Sequence, residues 1–194
     1  MKLLGPKSIS TGLSYLFLLL FIFLLLHTIY MTFLFGVSYY NYTNSEHLLP
    51  EVIEIGKSRG NHPPPFDVYF IFKYPFSNQQ MMMGFFTKQT VMFHSFQNIF
   101  FCLFFLFLYK IFNHLNNHNL FTEKIIQQLK IFSIINILYA PLYFFIWVYL
   151  FNASLDGSII ITCLIFFFLG ITMYFTSAFF KKGYQLQSEN DLTI

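Results

Sequence analysis

The sequence predicts an all-α membrane protein: a four-helix transmembrane bundle with both termini in the cytoplasm and a small extracytoplasmic β-ribbon between helices 1 and 2. Three observations predict it. Of 194 residues, 56% are hydrophobic and only 10% charged, where a soluble domain carries about a quarter charged residues. Thirty phenylalanines and a mean hydropathy of +0.59 leave more apolar surface than so few polar groups can shield from water. Finally, the apolar residues fall into four runs, each long enough to cross a hydrocarbon core of about 30 Å at 1.5 Å per helical residue.

The first run, 13–37, contains no charged residue. Lys2 and Lys7 precede it as in a secretory signal, but it is too long for a signal core and no small-residue cleavage pattern follows, so it reads as an uncleaved anchor. The others cover 90–112, 129–151 and 158–180. Lys2, Lys7, Lys110, Lys124, Lys130, Lys181 and Lys182 then share one side. Lys57, Arg59, Lys73 and Lys88, offset by Glu46, Glu51, Glu54 and Asp67, share the other with Asp156. The positive-inside rule assigns the first side to the cytoplasm of a bacterial inner membrane. The whole chain, 1–194, reads as one integral membrane domain with a cytoplasmic loop at 113–123 and a cytoplasmic tail at 181–194.

The extracytoplasmic segment, 39–89, is too long for a bare connection. Phe66, Val68, Phe70, Phe72 and Tyr74 alternate with Asp67, Tyr69, Ile71 and Lys73, the period-two pattern of a strand. Leu48–Ile55 is its candidate partner, with turn chemistry in Gly56–Asn61 and Pro63–Pro65 setting the earliest start of the second strand. Met81–Met83, Phe85 and Phe86 read as apolar filler against the membrane. In the loop before the third helix, Thr122 supplies an N-cap hydroxyl and Glu123 an acid at the positive end of the helix dipole. Pro141 falls inside the third helix and is expected to kink it.

His27 is the ionisable residue deep in the first helix, at about the depth of Asn98 in the second, which shares a face with His94 and adjoins Gln97. His27, His94, Gln97 and Asn98, extended by Asn136, form a candidate intramembrane polar cluster. Two readings apply: a proton-sensing or ligand pocket, or interhelical hydrogen bonding at about 0.6–2 kcal/mol per contact, which is favoured. His114 and His118 have metal-ligand spacing, but no third ligand accompanies them and their asparagine-rich surroundings read as loop. No metal site and no cofactor is expected.

Catalytic motifs are absent: there is no Gly-x-Ser-x-Gly, no His-Glu-x-x-His, no phosphate-binding glycine loop and no intramembrane carboxylate pair. An enzyme is therefore not expected. Cys102 and Cys163 lie in apolar runs and read as small hydrophobes. The basic residues form no stripe, so direct nucleic-acid binding is not expected. The lipid bilayer is the first partner; a pore would require a homo-oligomer.

The C-terminal stretch Phe180-Lys-Lys-Gly-Tyr-Gln-Leu-Gln-Ser-Glu-Asn-Asp-Leu-Thr-Ile194, and above all its Asp191-Leu192-Thr193-Ile194 ending, resembles the tail of a bacterial membrane-protein family, domain of unknown function 2975. The run Asn119-Leu-Phe-Thr-Glu-Lys124, followed by Leu129-Lys130-Ile131, is similar to a second signature of that family, with Leu120 where the resemblance would place a proline. The resemblance covers the second half of the chain. It implies a four-helix plan and, because such genes are often found beside small helix-turn-helix regulators, a membrane partner or sensor for a cytoplasmic transcription regulator. On that basis Phe121, Thr122, Glu123, Gly183, Asp191, Leu192, Thr193 and Ile194 are candidates for a cytoplasmic docking surface. The alternative reading is a small-solute transporter or an immunity-type resistance protein.

Overall fold

A computed structural model describes residues 5, 8–57, 67–116, 120–152 and 156–191. Four helices are long and apolar enough to cross a membrane. They are α1 (Ile9–Asn44), α2 (Lys88–His114), α3 (Glu123–Phe145), which continues into a π-helical turn at Ile146–Leu150, and α4 (Gly157–Asp191). Three strands, β1 (Ile53–Lys57), β2 (Val68–Lys73) and β3 (Gln80–Phe85), lie between α1 and α2 in sequence. The chain divides into two compact units, residues Leu25–Ile99 and the remainder.

The helices outrun the apolar segments that seed them. α1 has 36 residues and α4 has 35, about 54 and 52 Å at 1.5 Å per residue. The segment set apart as a tail from 181 begins as an unbroken continuation of α4 to Asp191; Leu192, Thr193 and Ile194 lie outside the described residues. Pro141 stands within α3, where it denies Ile137 its usual hydrogen-bond donor. The regular helix gives way a turn later to π geometry, with the Phe151 N–H donating to the Ile146 carbonyl at 3.2 Å.

In the Leu25–Ile99 unit the expected two-stranded ribbon is a three-stranded antiparallel meander, in the order β1-β2-β3. The segment read as filler, Met81–Met83, belongs to the third strand, with Phe70 opposite Gly84 and Phe72 opposite Met82. A third strand is the physical requirement that an isolated hairpin leaves unmet, because two strands alone cannot hold a dry face in water. β2 is central and alternates as read: Val68, Phe70 and Phe72 are buried. Phe70 and Phe72 pack with Ile53 of β1 and with Met31, Leu34 and Phe35 of α1, the Phe35 ring lying 5.4 Å from Phe70 and 5.1 Å from Phe72 in edge contacts. On the other face Glu54 accepts from the Tyr69 hydroxyl at 3.0 Å and pairs with Lys73 at 3.8 Å. The proline run 63–65 and most of the Gly56–Asn61 turn lie outside the described residues.

The other unit is built on the α3–α4 pair. At Gly170 of α4 an added Cβ would stand 2.8 Å from the Ser133 carbonyl oxygen and 2.9 Å from the Ile137 nitrogen of α3, so only glycine permits this approach. Further along, the Cys163 thiol donates to the Ala140 carbonyl at 3.3 Å. Phe107 and Ile111 of α2 pack with Ile125, Leu129 and Phe132 of α3 into one buried cluster, which Met173 and Phe180 of α4 join.

Candidate functional site

The sequence places its candidate docking residues at the start of α3 and the end of α4, and the fold brings those two segments together. Thr122 has extended backbone geometry and its hydroxyl accepts from the Ile125 N–H at 3.4 Å, while its carbonyl accepts from the Ile126 N–H at 3.2 Å. That cap fixes where α3 begins and aims Phe121 at α4. The Phe121 ring meets Phe180 edge-on at 5.4 Å. It also lies over Gly183, where three ring carbons would stand 2.6 to 2.9 Å from an added Cβ. At the first position of α3, Glu123 accepts from the Tyr184 hydroxyl at 3.5 Å.

Beside this contact a groove of about 620 Å³ runs between the two helices. It is lined by Ile126, Tyr174 and Ala178 together with Glu123, Lys130, Lys181 and Gln185. A lining that mixes two cations and one anion with apolar side chains suits a peptide or helix that presents apolar side chains flanked by carboxylates. Asp191 ends α4, and His118 lies outside the described residues.

The polar cluster divides between the units. His27, His94, Gln97 and Asn98 belong to Leu25–Ile99, and Asn136 to the other. His94 is set among aromatic rings, 6.2 Å from Phe35 in a stacked arrangement and 5.5 Å from Phe93 edge-on. Asn136 is fully buried, and its amide turns back on its own helix, Nδ2 donating to the Phe132 carbonyl at 2.7 Å. That leaves Asn136 Oδ1 buried without a hydrogen-bond partner among the described residues.

One polar site was not anticipated. Asn116, read as a loop former, gathers the start of α1: its Oδ1 accepts from Ser10 at 2.6 Å and from Thr11 at 3.2 Å, and its Nδ2 donates to Ser14 at 3.4 Å. Ser10 and Ser14 are buried. The sequence signal was the hydroxyl spacing Ser10, Thr11, Ser14, which presents one polar stripe at an otherwise apolar helix start.

A family profile described as "Protein of unknown function (DUF2975)" matches residues 72–194. The chain belongs to the DUF2975 family. The matched region takes in β3, α2, α3 and α4, and so contains every residue of the Phe121–Gly183 contact and of the adjoining groove. His27 and the whole of α1 precede it. No curated protein and no solved structure shows significant similarity to the chain.

Proposed function

We propose that this DUF2975 protein is a non-enzymatic, multi-pass protein of the bacterial inner membrane that docks a cytoplasmic helix-turn-helix regulator in the α3–α4 groove. The observation that carries the reading is the packing of Phe121 on Gly183. It joins two segments 62 positions apart in sequence, both singled out by family resemblance, into one surface beside a mixed-charge groove. The excess of lysines at this end of the helices favours a cytoplasmic orientation under the positive-inside rule. The identity of the partner draws on the gene neighbourhood that the family resemblance brings with it.

Affinity purification of the full chain, and of a chain ended after Phe180, tests the reading. A small helix-turn-helix protein recovered with the full chain and lost with the shortened one is the expected result. Equal recovery from both, or recovery of no such regulator, counts against docking and returns attention to a transport or immunity role.

A further inference from the structure

A second groove lies within the Leu25–Ile99 unit, between the last turns of α1 and the first turns of α2, with a volume of about 660 Å³. That is within the range of sites that bind small apolar ligands. Its walls are Phe35, Tyr39 and Tyr42 from α1, with Phe86, which follows β3, and Met92 of α2. The lining holds one charged residue, Lys88, which is exposed, and no carboxylate. Gly36 also lines it, and a Cβ there would meet nothing within 4 Å, so part of one wall is open space.

The groove straddles the level at which the apolar runs of both helices end. On α1, Phe35 and Gly36 lie inside the run that closes at Val37, and Tyr39 and Tyr42 lie beyond it. On α2, Val91 and Met92 lie inside the run and Lys88 before it. Tyrosines and a lysine at such a level are the residues of a headgroup zone. Thr87 caps α2 by accepting from the Thr90 N–H at 3.1 Å, so Lys88, the first residue of the helix, stands at the positive end of the α2 dipole.

We propose that this groove seats one anionic phospholipid, an acyl chain along Phe35, Gly36 and Met92 and the phosphate at Lys88. The charge balance selects the occupant: an apolar channel that ends at a cation and offers no carboxylate matches a chain bearing an anionic head. The inference requires residence in a bilayer and is independent of regulator docking.

The test uses the full chain in vesicles of phosphatidylglycerol or of phosphatidylcholine, each doped with the same lipid carrying a diazirine on its acyl chain. Photolabelled peptides are then quantified. Groove peptides label in phosphatidylglycerol with about a fivefold preference over phosphatidylcholine, as about 1 kcal/mol per interfacial lysine requires. Gly36→Leu, which fills the channel, lowers that labelling about tenfold, and Ser95→Leu on the α2 wall does the same if the α1 change disturbs folding. Lys88→Gln removes the preference for the anionic lipid. The α4 peptide containing the exposed Phe175 labels equally in all variants and both lipids. Labelling of that peptide without the groove peptides, or groove labelling indifferent to Gly36→Leu and to headgroup charge, overturns the lipid site. Absence of labelling everywhere overturns bilayer residence as well.

Discussion

The ring of Phe121 occupies the space that a Cβ on Gly183 would need, its nearest carbon 2.6 Å from that position. Glycine inside a helix costs about 0.5–1 kcal/mol relative to alanine, so α4 sustains Gly183 only because the ring takes the place of a side chain. Gly183→Ala should therefore destabilise the α4 end by about 1 kcal/mol, an overpacking penalty partly offset by better helix propensity. In a Phe121→Ala background the same change should stabilise by about 0.5–1 kcal/mol. Hydrogen exchange of residues 181–191 reads both; the same sign in both backgrounds would rule out the contact.

Gly170 differs in what it faces. Its neighbours at 2.8 and 2.9 Å are the Ser133 carbonyl oxygen and the Ile137 nitrogen, main-chain atoms that cannot rotate aside. Gly170→Ala should cost about 3 kcal/mol, the upper end for overpacking. Thermal unfolding in detergent checks it, and Ile137→Ala should rescue little because the main chain stays in place.

Asn116→Ala should cost about 0.5–1.5 kcal/mol, since it removes one partner from each of the buried hydroxyls of Ser10 and Ser14, which keep their bonds to the Ser8 hydroxyl and the Thr11 carbonyl. Asn113, exposed on the last turn of α2, is the control, and its alanine variant should unfold with the parent. Thermal unfolding with matching midpoints for the two variants would show that the Asn116 bonds contribute nothing.

Phe76 is fully exposed and holds φ at +59° in the β2–β3 turn, where the Ser77 N–H donates to the Tyr74 carbonyl at 3.2 Å. A bulky L-residue in that region costs about 1–2 kcal/mol, which asparagine largely avoids. Phe76→Asn should raise the stability of the sheet by about 1 kcal/mol. Exchange protection of Tyr69–Phe72 measures it, and lower protection would show that the Phe76 side chain supports the turn.

Much of this fold could be read from local pattern. The four apolar runs located the four long apolar helices, the alternation from Val68 to Lys73 located the central strand, and Thr122 marked the start of α3. What escaped depends on partners remote in sequence. Gln80–Phe85 has three methionines and a glycine, weak strand formers, and becomes a strand because Phe70 and Phe72 of β2 offer it a ladder. The segment after Phe180 is polar and holds a glycine, so hydropathy separates it from the apolar run; its helix continues where Gly183 meets Phe121 and Tyr184 meets Glu123. At the candidate site, family resemblance supplied Phe121 and Gly183, whereas Lys130, Tyr174 and Gln185 became groove residues only once α3 and α4 were paired.

The docking proposal is tested most directly by the affinity of a purified regulator, encoded beside the gene, for the full chain in nanodiscs, measured with the parent and with Lys130→Glu plus Lys181→Glu. These substitutions reverse the two cations of the groove without touching the Phe121–Gly183 contact. Binding by the parent is expected, with a loss of about tenfold or more and a weaker salt dependence in the variant. Equal affinity for the two proteins, or no binding by the parent, would contradict docking.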